Sequence, residues 1–192
     1  MATWTNISDT VLEPGKPARS IDALALRDNT AFVKDTHGYQ VFTSSGTFTP
    51  PVGITSFRVI IIGGGGGAGY GYQIGESGNA GGDGGAIETV VSGMTNSNYA
   101  VVVGAAGAGG GITGGNGGSS SVFGLVVGGG SGGVSNAYGG ARGANGSTPP
   151  AMIRGTAATP RLNIGYGGGG FAGNSSTAVS ATGKAGVVII EW

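Results

Sequence analysis

Short apolar segments rich in β-branched residues alternate with runs of glycine over most of the chain. Segments of about four to eight such residues, bounded by glycine or proline, are typical of β-strands. The pattern therefore predicts a mainly β protein, and a polar loop at residues 44–46 predicts a hairpin between the first two strands. The predicted strands cover residues 39–43, 47–49, 56–62, 86–91, 99–103, 121–127 and 186–192.

The first part of the chain has an ordinary amino-acid composition, whereas the part after it is unusually rich in glycine. Residues 20–27 are predicted to form a short helix, with Ser20 as its N-cap and Asn29 suited to its end. So small a unit cannot bury a core of its own and needs a partner. Residues 1–38 are therefore interpreted as an attachment segment, and residues 39–192 as the main domain.

Glycine contributes 46 of the 192 residues, and only four of them precede residue 63. The runs lack the strict period of collagen, and a flexible linker would not contain aggregation-prone apolar segments. Because glycine has no side chain, burial of apolar surface cannot offset the entropy lost when it is ordered. Two interpretations remain: the runs pack as polyglycine II helices whose N–H and C=O groups pair between neighbours, or they are disordered loops between strands.

Charge and composition exclude several classes of function. Nine basic and nine acidic residues give a net charge of zero, so the chain has no field that attracts nucleic acid or anionic lipid. The absence of cysteine excludes a disulfide scaffold and a thiolate metal site. With a single histidine and scattered carboxylates, neither a metal nor a cofactor is expected. No apolar run approaches the roughly 18 residues of a membrane span.

Two glycine-containing motifs match enzyme signatures by chance. Residues 64–69 fit G-x-G-x-x-G after a predicted strand, but the glycines of residues 70–85 exclude the helix that a dinucleotide site requires. Residues 129–133 fit the G-x-S-x-G of hydrolases, yet the only possible histidine base is His37, far away along the chain. The sequence therefore predicts a protein without enzymatic activity.

The predicted turns between the glycine runs are rich in Tyr, Asn and Ser, as antibody binding loops are. A rigid aromatic ring supplies contact area there, and short polar side chains supply hydrogen bonds. These turns either form a binding site or carry the polar residues that any exposed turn tolerates. They cover residues 70–77, 95–99, 135–138 and 147–166.

Several stretches carry a resemblance to a known family. Residues 38–67 begin Gly-Tyr-Gln-Val-Phe-Thr-Ser-Ser-Gly-Thr-Phe-Thr-Pro-Pro and end in Phe-Arg-Val-Ile-Ile-Ile and five glycines. Residues 183–192 have the sequence Gly-Lys-Ala-Gly-Val-Val-Ile-Ile-Glu-Trp, and residues 117–124 have Gly-Gly-Ser-Ser-Ser-Val-Phe-Gly. Over residues 38–192 the chain resembles the glycine-rich domains of tail-fibre and adhesin proteins of tailed bacteriophages. Residues 18–29 are similar to segments near the start of phage fibre proteins.

This resemblance implies both a fold and a function. The expected fold is a short N-terminal attachment segment followed by a glycine-rich sandwich of β-strands and polyglycine II helices. The expected function is that of a virion tail-fibre protein acting at the host surface, which docks on other tail or baseplate proteins and recognises a bacterial surface protein or glycan. The short N-terminal segment favours a homotrimer, with a monomeric tip as the alternative. The alternative function is a structural fibre or decoration protein that does not bind the receptor itself.

The candidate functional residues form two groups, and no catalytic or metal-binding residue is predicted. The residues predicted to contact the receptor are Tyr70, Tyr72, Gln73, Asn96, Asn98, Asn136, Tyr138, Arg154, Arg161 and Tyr166. The residues predicted to attach the chain to the virion are Trp4, Arg19, Leu24, Leu26, Arg27, Asp28 and Asn29.

Overall fold

A computed structural model of the chain describes residues 20–69, 78–134, 144, 146 and 181–192. Over these ranges the protein is mainly β, with one helix near the N-terminus, as the sequence predicts. The elements are α1 (Ser20–Thr36), β1 (Tyr39–Phe42), β2 (Gly46–Phe48), β3 (Ser56–Ile62), β4 (Ala86–Ser92), β5 (Tyr99–Val101), β6 (Ser120–Val122), β7 (Leu125–Val127) and β8 (Val187–Glu191).

Helix α1 is longer than the sequence pattern predicts. Its predicted end at Asn29 is wrong, because the helix continues to Thr36 and the N–H of His37 still donates to the carbonyl of Val33 at 3.1 Å. Asn29 is buried within the helix, and a single Asn lowers helix propensity too little to end it. The helix ends where Gly38 leads into β1.

The strands form two layers. One layer is a four-stranded antiparallel sheet in the order β1-β8-β3-β4. The other contains the pairs β2-β5 and β6-β7, which a bridge between Val102 and Ser121 joins side by side. The predicted hairpin of the first two strands is wrong: β1 pairs with β8, and β2 pairs with β5. A short polar loop permits a hairpin, but β1 pairs with the longer strand β8 and β2 with the distant strand β5.

The predicted strand at residues 121–127 is instead the hairpin of β6 and β7. Phe123 and Gly124 form its two-residue turn with φ angles of 52° and 76°, the left-handed values that such turns require. This conformation is unfavourable for a phenylalanine. Packing compensates for it, because the ring of Phe123 stacks on Phe57 at 5.7 Å between centroids and meets Tyr99 edge-on at 4.9 Å.

The hydrophobic core lies between the two layers. Phe48 and Phe57 are almost completely buried at its centre, with their rings edge to face at 5.4 Å. Trp192 packs on the core from the end of β8, and its backbone exchanges two hydrogen bonds of 2.9 Å with Gly38. The fully enclosed side chains of this core are Phe48, Phe57, Val59, Ile61, Ile87, Val101, Val122, Val127, Val188 and Ile190. Ile62 and Val187 are also enclosed, in a smaller cluster on the opposite face of β3 and β8.

The glycine run that follows β3, at residues 63–69, is bonded to its surroundings with a period of three residues. The N–H groups of Gly63, Gly66 and Gly69 donate to the segment at residues 79–85, with N···O distances of 2.9 to 3.0 Å. The residues in between donate in turn to segments 115–118 and 181–184. Three residues per turn with all bonds directed to neighbours is the polyglycine II arrangement.

The carbonyls of this central run complete the lattice. Gly65 and Ala68 accept hydrogen bonds from the segment at residues 107–110. Gly64 and Gly67 accept from the segment at residues 130–133. Neighbouring outer segments also bond to one another, so the packed interpretation of these described glycine runs is confirmed and the disordered one is wrong for them. The lattice residues of all segments are referred to below as the glycine lattice.

Glycine is required in the lattice because the backbones approach too closely for a Cβ atom. A Cβ on Gly66 would overlap the carbonyl of Ser131, and one on Gly104 would overlap the carbonyl of Gly118. Where a position faces outward, the sequence is free to change: Ala105 and Ala106 are exposed. Within the lattice, glycine therefore occupies the positions that face a neighbouring backbone.

A buried serine joins the sandwich to the lattice. The hydroxyl of Ser120 donates to the carbonyl of Ile62 at 2.7 Å and accepts from the N–H of Gly104 at 2.9 Å. These two backbone groups lie where β-pairing changes to lattice bonding. The Ser120 side chain thus bonds one backbone N–H and one backbone C=O that have no partner in the regular pairing. Burying these two groups without a hydrogen bond would be unfavourable.

The lattice makes a sharp prediction for stability. Gly66→Ala should lower the free energy of unfolding by about 3 kcal/mol or more, because the new methyl group forces two backbones apart. Gly46→Ala is the matched control: its Cβ would stand at an ordinary 3.6 Å from the Phe42 ring, so stability should change by less than about 1 kcal/mol. Urea denaturation followed by circular dichroism measures both values, and equal effects would contradict the lattice.

Hydrogen exchange tests the same arrangement without a mutation. Amides of residues 63–69 should exchange about a thousandfold more slowly than those of an unstructured peptide, because releasing them requires opening several segments together. Amides of residues 52–53, in an exposed turn, serve as the fast internal control. Exchange of residues 63–69 at the rate of that turn would refute the bonding described above.

Candidate functional site

The molecule has two chemically different ends. Strand β3 leads from Ser56 into the glycine lattice, and the last described residue of that run is Gly69. The end that carries Ser56, together with Gly38 and Trp192, is called the proximal end, and the opposite end of the lattice is called the distal end. Helix α1 joins the sandwich at the proximal end, because Tyr39 at the start of β1 pairs with Glu191.

A tight turn at the distal end reverses the chain between two lattice segments. Gly110 and Gly111 adopt φ angles of 123° and 70°, values that residues with a side chain rarely adopt. The turn places Ile112 outward, with 44% of its surface exposed, and Thr113 beside it. An aliphatic side chain this exposed contributes little to the core.

Two further segments meet this turn. Thr113 forms a bridge with Val134, which is 39% exposed. The side-chain amide of Asn79 donates to the carbonyl of Val134 at 3.0 Å, and the carbonyl of Asn79 accepts from the N–H of Gly69. These contacts define a distal patch of four residues: Asn79, Ile112, Thr113 and Val134.

The chemistry of the distal patch is that of a contact surface. Its members are uncharged and present two aliphatic side chains beside a hydroxyl and an amide. Such a set can exclude water over a small area and supply a few directed hydrogen bonds, which is how protein recognition sites are built. The only nucleophile of the patch is the hydroxyl of Thr113, and no base belongs to it.

Two of the predicted receptor-contact residues lie at the other end of the molecule. Asn98 accepts a hydrogen bond of 2.8 Å from the hydroxyl of Thr49. The Asn96 amide, oriented to satisfy its neighbours, donates to the carbonyls of Pro50 and Pro51 at 3.1 and 3.3 Å. Both side chains therefore connect the loop at residues 93–98 to the loop at residues 49–55 at the proximal end. The structure does not bring them near the distal patch.

The remaining predicted contacts lie outside the described residues. The residues concerned are Tyr70, Tyr72, Gln73, Asn136, Tyr138, Arg154, Arg161 and Tyr166.

The predicted attachment residues that can be placed lie on α1. Leu24 and Leu26 are exposed, and Asn29 is buried. Arg27 pairs with Asp28 at 2.8 Å on the helix surface, where such a pair contributes little to stability. Trp4 and Arg19 lie outside the described part of the chain.

The strongest charge cluster of the described residues lies on the outer face of the four-stranded sheet. The Arg58 guanidinium contacts Glu88 at 2.6 Å and Glu191 at 2.5 Å. The hydrogen bond to Glu88, followed by that to Glu191, raises the pKa of Arg58, which keeps its charge at any physiological pH. Both carboxylates are held by this arginine, and the cluster lies away from the distal patch.

The described residues offer neither a cluster of metal ligands nor a membrane-spanning helix. Their His, Asp and Glu side chains do not gather in groups of three or more that could hold a metal ion. No helix among them combines the length and hydrophobicity needed to cross a membrane.

Sequence reasoning missed the distal patch. Ile112 and Thr113 interrupt a glycine run from residue 109 to residue 115, and the lattice has no room for their side chains. Two large residues inside such a run therefore mark a turn. Asn79 and Val134 carry no comparable signal, because single polar or branched residues also occupy outward lattice positions.

Comparison with known proteins agrees with this architecture. The family model described as a glycine-rich domain matches residues 43–186. This range contains the described lattice and ends where β8 begins. No curated protein matches the chain significantly. On the extent of the family match, the chain belongs to the glycine-rich domain family.

Proposed function

We propose that this protein is a bacteriophage tail-fibre protein, which attaches to the virion through its N-terminal segment and recognises a bacterial surface receptor with its distal end. The observation that carries the proposal is the placement of the two candidate surfaces. Helix α1, with Leu24 and Leu26 exposed, joins the sandwich at the proximal end, and the distal patch lies at the other end of the lattice. A protein that connects a particle to a cell needs two such ends.

The lattice supports this proposal through its rigidity. The described turn at residues 110–113 is anchored on both sides by backbone hydrogen bonds, from Gly110 to Ala68 and from Gly114 to Gly133. A turn held in this way loses little conformational entropy when it binds. The free energy of its contacts is then available for affinity.

The chemistry of the patch supports binding without catalysis. The described distal residues offer aliphatic surface and hydrogen-bonding groups, which suit contact with a partner. The receptor would be an outer-surface protein or glycan of the host bacterium, and the proximal partner another tail or baseplate protein. Display on a virion would bring several copies to one cell, which strengthens weak single contacts.

Substitution at the patch tests the proposal. Ile112→Asp should weaken binding of the fluorescently labelled full chain to intact bacterial cells by about tenfold or more, because it places a charge at the centre of the contact. Val52→Asp is the matched control, since Val52 is also exposed, at 65%, but lies in a proximal turn. Flow cytometry over a panel of strains measures both proteins.

If no strain binds the wild-type chain while the protein still incorporates into particles, the structural alternative is correct. If both variants bind like the wild type, the distal patch is not the contact.

The tyrosines predicted from sequence allow a second test. Replacing Tyr70, Tyr72 and Tyr138 together by alanine should reduce adsorption to host cells if these rings supply the contact area. Thermal unfolding checks that the triple variant folds. Unchanged adsorption by a folded variant would remove these residues from the site.

A further inference from the structure

Two outer segments of the glycine lattice, at residues 114–117 and 130–133, lie side by side next to the distal patch. Two backbone hydrogen bonds join them, and in both the first segment is the donor. These bonds run from the N–H of Gly117 to the carbonyl of Gly130 at 2.8 Å and from the N–H of Gly114 to the carbonyl of Gly133 at 2.9 Å.

A side chain supplies a third bond between the same segments, in the opposite direction. The N–H of Gly132 donates to the side-chain oxygen of Asn116 at 2.8 Å. Gly132 is buried, whereas Asn116 lies at the surface. Removal of the asparagine oxygen would therefore deprive a buried N–H of this acceptor, which is unfavourable.

The acceptor of Gly132 differs from those of its neighbours. The other three N–H groups of residues 130–133 all donate to backbone carbonyls. The side-chain amide of Asn116 carries a carbonyl of the same kind, and it takes the place that a backbone carbonyl has elsewhere in the lattice. In the sequence this residue is the single interruption of Gly-Gly-Asn-Gly-Gly at residues 114–118.

The two joined segments lead directly into the distal patch. Thr113 immediately precedes the first segment, Val134 immediately follows the second, and the two residues form a bridge. Asn79 holds Val134 through a side-chain bond of its own. Asn116 is not a member of the patch, yet its bond contributes to the alignment of the segments that carry two members.

We propose that Asn116 is a positioning residue for the distal patch. Its side-chain oxygen keeps the two segments in register, and this register fixes Val134 beside Thr113. The consequence for receptor binding rests on the function proposed above. The alignment itself can be measured without a receptor.

Hydrogen exchange of the full chain, resolved by NMR, tests the alignment. In Asn116→Ala the Gly132 amide should exchange about tenfold faster than in the wild type, because it loses its acceptor, while amides of residues 63–69 keep their rates. Asn116→Asp keeps an acceptor oxygen and should restore the wild-type rate at Gly132. Ser119→Ala is the matched control, since Ser119 is exposed close by on the same stretch, and it should leave that rate unchanged.

Three outcomes of this experiment would overturn the proposal. One is a wild-type exchange rate of Gly132 in Asn116→Ala. Another is an Asn116→Asp protein that exchanges as fast as Asn116→Ala, because the acceptor would then not be the cause. The third is equal acceleration at residues 63–69, which would mean that Asn116 stabilises the whole lattice rather than one pair of segments.

Binding to bacterial cells tests whether this alignment matters to the patch. Asn116→Ala should bind the strain that the wild type binds best about fivefold more weakly, mainly through faster dissociation, whereas Ser119→Ala should bind as the wild type does. Asn116→Asp is judged by exchange alone, because it introduces a charge.

The two measurements separate this proposal from the function on which it rests. Unchanged binding by an Asn116→Ala protein whose Gly132 amide exchanges faster would refute the positioning role and leave receptor recognition standing. A wild-type chain that binds no strain would refute receptor recognition, and the exchange rates would still decide whether Asn116 aligns the two segments.

Discussion

The rest of the structure depends on hydrogen bonds between backbones that are distant in sequence. In the run after β3, successive N–H groups donate to three different segments, and the intervening carbonyls accept from two more. Ordering glycine is entropically unfavourable, and no side chain here offers apolar burial in return. Hydrogen bonds and close packing between paired backbones offset this loss of entropy. The same close packing leaves no space for a Cβ atom at lattice positions such as Gly66.

The hydrophobic sandwich gives this lattice its register. β3 continues directly into the central run, while the outer segments adjoin β4, β7 and β8 at the same level. Once the core around Phe48 and Phe57 fixes the pairing of these strands, the glycine segments beyond them are already aligned. Ser120 bonds across the point where one pattern replaces the other. The lattice thus continues the strand alignment that the buried core holds in register.

The sequence predicted the strands well and their partners poorly, for a physical reason. The residue types of a β-branched segment such as residues 56–62 are enough to predict that it is a strand. Its partner cannot be predicted in the same way, because pairing depends on residues distant in the sequence, as between β1 and β8. The helix extends beyond Asn29 to Thr36, because one Asn lowers helix propensity only modestly. Turn composition identified polar loops, yet it could not distinguish Asn98, which bonds to Thr49, from a residue open to a partner.

The separation of stability from surface chemistry has a consequence for recognition. The fold is stabilised by the core and by backbone hydrogen bonds, so glycines inside the lattice tolerate almost no substitution. Ile112, in contrast, protrudes from a turn that is fixed at both ends. A new side chain at that turn disturbs neither the core nor the lattice. The distal surface can therefore change its binding chemistry while the fold stays constant, because the atoms that hold the molecule together are not the atoms that a partner would contact.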